Sequence, residues 1–280
     1  MTESLGWTLY WFMSTFLFGA VVGSFLNVVI ARLPEEQSVV SPRSRCPRCE
    51  TPIAWYDNIP MVSWLILRAR CRSCQLPISI RYPLVELLTA VLSVLTFHRF
   101  VANPALMTVE GVALYLVYFS FVAALIAITF IDFDHYIIPN EISYPGTALG
   151  LLAVAGLDYL DFGQLTWQSS LMGALIGSGS LLLVMGLYWL VRRVEGMGLG
   201  DVKLMAMLGA FLGAHPALLF ILFVSSFLGS VVGIGMMLFK GKDMKYALPF
   251  GPFLAGSAVV YLLWGHLIVP LFLGGLRSGY

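Results

Sequence analysis

Charge is what this chain has least of. Only 11% of its 280 residues are Asp, Glu, Lys or Arg, while 59% are hydrophobic and the mean hydropathy is +0.87; soluble domains carry about a quarter charged residues. An ordinary soluble globular protein is therefore excluded. Histidine and cysteine are limited to four each. Neither a His-Glu-x-x-His nor a Gly-x-Ser-x-Gly pattern occurs, which removes the usual signatures of zinc and serine hydrolases. Segments of about ten residues with alternating hydrophobicity are also missing, so an outer-membrane barrel is excluded. Nothing in the net charge of +1 points to a nucleic-acid partner.

What the chain does have is long apolar runs. Stretches free of Asp, Glu, Lys and Arg extend over Ser4–Ala31, Gly111–Ile131, Ile142–Leu157, Phe162–Val191, Leu204–Phe239 and Tyr246–Leu276, with a further candidate between Tyr82 and Phe100. A bilayer-spanning helix needs about 20 residues, so these runs predict an all-α polytopic membrane protein in contact with lipid. The first run is too long for a signal-peptide core and follows Glu3 rather than a basic start; it is expected to be retained.

The cations set the expected orientation. Eight arginines lie in or beside the polar stretch between the first two helices (Arg32, Arg43, Arg45, Arg48, Arg68, Arg70, Arg72 and Arg81), which the positive-inside rule assigns to the cytoplasm. The N-terminus is then periplasmic. The run Leu204–Phe239 holds 36 residues, about 54 Å as a helix against a hydrocarbon core of about 30 Å. Gly213-Ala214-His215-Pro216 can divide it. Two crossings there return Lys240, Lys242 and Lys245 to the cytoplasm, leaving only Arg99 and Arg277 outside. The expectation is about eight transmembrane helices with both termini periplasmic. Three regions follow: 1–100, two helices flanking a cytoplasmic loop at 33–81; 107–240, a membrane core; and 241–280, a cytoplasmic turn and the last helix. The helix from Asp201 to Gly213 spans only about 20 Å, so its start is expected below the surface in a protein-lined cavity.

All four cysteines fall in the polar loop, as Cys46-Pro47-Arg48-Cys49 and Cys71-Arg72-Ser73-Cys74 with 21 residues between the pairs. Paired CxxC elements at this spacing suit a tetrahedral zinc site. A disulfide framework is the competing reading, disfavoured in a reducing cytoplasm. Four thiolates leave no open position, so the zinc is expected to be structural. Trp55, Tyr56, Pro60 and Trp64 read as packing and interfacial anchors.

Two acidic knots stand out. Ile131-Asp132-Phe133-Asp134 ends one apolar run, and Gly196-Met197-Gly198-Leu199-Gly200-Asp201 opens another. In the expected topology both lie at the cytoplasmic side, at one depth. Two carboxylates from different helices can then share one proton, one activating water and the other polarising a peptide carbonyl. Gly196, Gly198 and Gly200 would let the backbone turn sharply and let an extended substrate approach. The dipole at a helix start would hold Asp201 ionised, leaving Asp132 the more readily protonated partner. The competing reading makes all three aspartates interfacial charges, with Asp201 an N-cap. His135, beside Asp134, is a candidate supporting residue.

These elements together resemble the bacterial type IV prepilin peptidases, the leader peptidase/N-methyltransferases. The resemblance is carried by Gly23-Ser24-Phe25-Leu26-Asn27-Val28-Val29 through Arg32-Leu33-Pro34, the two CxxC pairs, Arg81-Tyr82-Pro83-Leu84-Val85-Glu86, Asp132-Phe133-Asp134 with Ile138-Pro139-Asn140, and Gly198-Leu199-Gly200-Asp201. The Gly-x-Gly-Asp element also resembles that of presenilin-type and archaeal preflagellin peptidases. There the first aspartate precedes the Pro-Asn-like element by seven positions, a register that selects Asp132 over Asp134. The resemblance implies Asp132 and Asp201 as the catalytic pair, supported by Gly198, Gly200 and Asp134, in a bacterial inner membrane. It implies cleavage of basic leaders from type IV prepilins and type II secretion pseudopilins after a glycine, at the cytoplasmic face. N-methylation of the new terminus, usually Phe, from S-adenosylmethionine would follow. No glycine fingerprint for that cofactor is visible, and Ala69-Arg70 stands where many relatives carry Gly-Lys, a departure that bears on methylation. Two other functions fit the residues less well: a proton- or cation-coupled transporter with a structural zinc loop, whose acids would sit nearer the midplane, and a non-catalytic assembly subunit docking through that loop.

Overall fold

Apolar runs unbroken by turn residues satisfy their backbone groups internally by forming helices, the only open-chain solution available in lipid. A computed structural model describes residues 2–101, 107–163, 165–193, 198–240 and 248–277. The helices are α1 (Thr2–Arg32), the short α2 (Val62–Ile66), α3 (Arg81–Phe100), α4 (Val109–His135), α5 (Asn140–Tyr159), α6 (Trp167–Arg192), α7 (Leu199–Leu212), α8 (Ala217–Lys240) and α9 (Gly251–Arg277). No strand forms among the described residues, only two isolated bridges in the polar loop. Gly196, Lys242 and Lys245 lie outside the described residues.

All eight expected long segments are helical. Six of them, α1, α3, α4, α6, α8 and α9, are long and apolar enough to cross a membrane. The other two are α5 and α7. The 14 residues of α7 are too few for a hydrocarbon core of about 30 Å. In α5, polar Asn140, Glu141 and Asp158 occupy the ends and Pro145 the interior, which dilutes its apolar character. Among the described residues, six of the eight expected segments are thus long and apolar enough to cross a membrane.

The chain divides into two compact units, Met1–Ala127 and Ile128–Tyr280. In the first, α1 meets α3 through small residues. A Cβ on Gly19 would lie 2.6 Å from Ser93 Cβ and 2.8 Å from Ala90 Cα, and one on Gly23 would lie 2.7 Å from Glu86 Cα. Glycines four apart thus let the helices touch backbone to backbone. Ser93 Oγ bonds the Thr15 carbonyl at 2.8 Å and pairs with Tyr115 Oη at 2.8 Å. Next to them Phe97, Tyr115 and Phe119 form a buried aromatic cluster. Glu86, buried on α3, accepts the Met61 N–H at 2.7 Å. Asn27 Nδ2 donates to the Tyr82 carbonyl at 3.1 Å. The polar loop is thereby tied to the ends of α1 and α3.

In the second unit α7 is the most enclosed element. Val202, Leu204, Met205, Met207, Leu208, Ala210 and Phe211 are all buried, under contacts from α5, α6, α8 and α9. Protein rather than lipid therefore surrounds this short helix. Glycines again set the spacing: a Cβ on Gly209 would overlap the Gly173 carbonyl of α6, and one on Gly173 would overlap the Gly209 carbonyl. Ser170 Oγ bonds the Ala210 carbonyl at 2.5 Å across the same crossing. The helix stops at Gly213, whose φ of +77° suits glycine, and α8 restarts at Ala217.

Gly209→Val should force α6 and α7 apart and destabilise the protein by at least about 1–3 kcal/mol. Gly179→Val, where nothing lies within 4 Å of the added Cβ, should be close to neutral. Thermal unfolding of the two detergent-purified variants would show the contrast, and equal melting temperatures would contradict this packing.

Candidate active site and metal site

The last turns of α4 sort its two aspartates by helical geometry. Ile128, Ile131 and Asp132 fall at positions i, i+3 and i+4, the spacing of one helix face, and all three are buried, Asp132 to 5% exposure. Asp134 is two positions on, about 200° around the helix, and is exposed. His135 is exposed as well.

The chain then closes α4 with the Tyr136 N–H on the Asp132 carbonyl at 2.9 Å. It runs through Ile137 and Ile138 into α5, whose N-cap is Pro139. Ile138 becomes a wedge at the centre of the site. A Cβ on Gly200 would lie 3.0 Å from Ile138 Cβ, and one on Gly251 would lie 3.3 Å from Ile138 Cδ1. Asp201 sits in the first turn of α7, half-buried, close enough to Asp132 for the two charges to interact. Lys203, one half-turn on, donates to Asn140 Oδ1 at 2.6 Å and lies over the Tyr144 ring at 5.3 Å. That clamp ties the start of α7 to the start of α5.

The glycines act differently from the sequence expectation. Gly198 has φ −77° and ψ 145°, ordinary extended backbone, and Gly213 is the only described glycine in the left-handed region. No sharp glycine turn is needed at Gly198 or Gly200. What Gly200 provides is room for Ile138. Gly198 is exposed, and among the described residues only the Gly200 backbone nitrogen lies within 4 Å of an added Cβ.

Sequence reasoning missed the residue that touches Asp132. The backbone N–H of Gly251, at the start of α9, donates to Asp132 Oδ2 at 2.9 Å in a buried bond. A Cβ there would stand 2.6 Å from the same oxygen. A glycine flanked by Phe250 and Pro252 just ahead of an apolar run was the available signal.

In the first unit the polar loop folds as two matching knuckles. Arg45-Cys46-x-x-Cys49-x-Thr51-Pro52-Ile53 repeats as Arg70-Cys71-x-x-Cys74-x-Leu76-Pro77-Ile78. Each copy has the same bonds: Cys46 N–H to Thr51 O and Ile53 N–H to Ser44 O in one, Cys71 N–H to Leu76 O and Ile78 N–H to Ala69 O in the other. Glu50 and Gln75 turn each knuckle with positive φ. The repeat was present in the sequence and went unread. The knuckles bring all four sulfurs within 4.8 Å of one another, with Cys46–Cys74 at 3.7 Å and Cys49–Cys71 at 4.0 Å. Tetrahedral Zn–S bonds of about 2.3 Å place sulfurs about 3.8 Å apart, so the set fits a metal ion of that kind. Hydrogen bonding from the Thr51 side chain and backbone pushes the Cys49 thiol down to about 6, and the backbone amides of Cys74 and Ser73 lower that of Cys71. Both effects favour the thiolates that a metal requires, whereas at Cys74 the lowering bond from the Leu76 backbone is outweighed by burial and by hydrogen bonds with the other three cysteines, which push the thiol up to about 11. Arg72 locks the Trp55–Asn58 turn onto the second knuckle, with bonds of 2.8 and 2.6 Å to the two Asp57 oxygens. Trp64 Nε1 donates to the Ile78 carbonyl at 3.1 Å.

A helical membrane protein with paired aspartates on adjoining helix ends and a loop of four clustered cysteines is the class that fold and sites define. Residues 17–100 match the bacterial peptidase A24 N-terminal domain, and residues 119–234 match the type IV leader peptidase family. The chain belongs to the type IV leader peptidase family. It is 39% identical to a protein of Aeromonas salmonicida, over 98% of this chain and 97% of the relative, and 37% identical to one of Pseudomonas aeruginosa, over 93% of each. A Myxococcus xanthus protein is 47% identical over 81% of this chain, which spans 63% of that relative's length. All three carry the name prepilin leader peptidase/N-methyltransferase. No solved structure matches the chain.

Proposed function

We propose that this protein cleaves the basic leaders of type IV prepilins and type II secretion pseudopilins after glycine, at the cytoplasmic face of a bacterial inner membrane, and then N-methylates the new terminus. The observation that carries the reading is the pairing of buried Asp132 with Asp201 from a separate helix. Two carboxylates that share one proton supply both halves of peptide hydrolysis. One takes a proton from water as the water oxygen attacks the scissile carbonyl carbon. The other gives its proton to the carbonyl oxygen, forming a gem-diol. On collapse, the proton taken from water moves to the amide nitrogen, the C–N bond breaks with its electron pair on nitrogen, and the diol returns a proton to the second carboxylate.

The exposed backbone at Gly198 is where an extended leader can approach, since among the described residues no side chain lies within 4 Å of an added Cβ there. Cys46, Cys49, Cys71 and Cys74 would hold zinc, and with four protein ligands the ion's contribution is folding energy for a loop with little core of its own. S-adenosylmethionine would supply the methyl group, and membership in the family supports this second activity. A coupled transporter finds no support, since both family matches are to peptidases.

The test is incubation of the detergent-purified protein with a prepilin and S-adenosylmethionine, followed by mass measurement of the product. The expected product lacks the leader and carries one added methyl group at its new terminus. A prepilin that keeps its leader would refute the reading. Cleavage without the mass increase would restrict the enzyme to one activity.

A further inference from the structure

Asp132 and Asp201 both lie near helix N-termini, so dipoles do not tell them apart. Asp201 is within the first turn of α7, and Asp132 faces the first residue of α9. A direct donor does distinguish them. The Gly251 N–H reaches Asp132 Oδ2 at 2.9 Å, whereas no side chain caps the start of α7 and no donor to the Asp201 carboxylate is present among the described residues.

We propose that Gly251 is a positioning residue of the peptidase site, its amide fixing Asp132 as the water-activating base and casting Asp201 as carrier of the shared proton. The inference rests on the peptidase reading above and reverses the roles expected from the α7 dipole alone. With Oδ2 held by the amide, Oδ1 is the atom left to take the proton from water. Asp201 then gives its own proton to the carbonyl oxygen and recovers one when the gem-diol collapses.

The surroundings are built for this contact. Gly251 is buried, and its neighbours in α9, Leu254, Ala255 and Ala258, pack into the core of the second unit. The Phe250 carbonyl accepts the N–H groups of Phe253 and Leu254 at 3.1 and 3.2 Å, which fixes the first turn of α9 and aims the Gly251 amide. Glycine leaves this contact undisturbed: an added Cβ would fall 2.6 Å from Asp132 Oδ2, 3.2 Å from its Cγ and 3.3 Å from Ile138 Cδ1, so a side chain here would turn the carboxylate away from the amide.

The decisive experiment replaces Gly251 by glycolate in the full-length protein through nonsense suppression, converting the amide N–H to an ester oxygen without adding a side chain. Cleavage kinetics are then followed against pH, with thermal unfolding as the folding control. The expected result is a kcat lower by about 10- to 100-fold, the loss for one hydrogen bond to a charged group. The acid limb of the kcat profile should move to higher pH, because a base deprived of a donor holds its proton more tightly. A merely structural role would leave that limb in place. Gly251→Ala, which keeps the N–H but displaces the carboxylate from it, should lower kcat to a similar extent. Wild-type kcat and an unmoved limb in the ester variant, or wild-type cleavage by Gly251→Ala, would overturn the inference while Asp132→Asn stays inactive. Cleavage by Asp132→Asn at the wild-type rate would instead remove the dyad itself.

Discussion

Asp201→Asn and Asp132→Asn are each expected to reduce prepilin cleavage by about a thousandfold or more, with little change in thermal stability. The magnitude follows from chemistry in which the two groups act as one unit. Removing either acid leaves no partner to complete the proton circuit, so single and double replacements should be nearly equal in effect. Stability should hold because Asn matches Asp in size, can still accept the Gly251 N–H at position 132, and removes the repulsion between two neighbouring acids. Asp134→Asn is the internal control. Its carboxylate lies on the exposed side of α4, and the variant should keep far more activity than either of the others. Steady-state cleavage of one prepilin by all three variants would rank them. Equal losses at 132 and 134 would mean that helix face is not what selects the reacting group.

Cys71→Ser is expected to cost the protein its bound zinc on dialysis against a chelator, where the wild type keeps about one ion per chain. Three thiolates and a hydroxyl bind zinc more weakly than four thiolates, and in the proposed site metal-binding energy would fold the knuckles. The loop from 33 to 81 should then become a site of rapid proteolysis. The loss should also reach α3, because the polar loop docks there through the Met61 N–H on Glu86. Unchanged metal content after dialysis, or a loop as resistant to protease as the wild type, would contradict a structural zinc site.

Both predictions rest on features that differ in how they can be read from sequence. The helices were legible because long uncharged runs have few alternatives, and the break at Gly213–Pro216 was legible because its run is too long for one crossing. The four cysteines were legible as a set because their spacing is itself the signal. Helical geometry separates Asp132 from Asp134 once the ends of α4 are known, but two acids one residue apart give no such answer in a linear chain. The contact between Gly251 and Asp132 bridges 119 positions and involves a backbone N–H, which every residue except proline possesses. No residue type announces it. The wedge of Ile138 against Gly200 and Gly251 was hidden for the same reason, since an isoleucine in an apolar sequence carries no mark of its neighbours. The glycines before Asp201 misled in a specific way: they suggested a sharp turn, whereas Gly198 is extended and Gly200 makes room for a side chain.

The central claim is that Asp132 and Asp201 together hold the reacting water. It is tested most directly by measuring binding of a prepilin leader peptide in which the scissile amide is replaced by a hydroxyethylene group. The hydroxyl of that group occupies the position of the attacking water between the two acids, so the peptide imitates the transition state, and such analogues bind about a hundredfold or more tighter than substrates. Tight binding to the wild type, weakened by about a hundredfold in both Asp132→Asn and Asp201→Asn, is the predicted result. Equal affinity for the wild type and either variant would contradict the account.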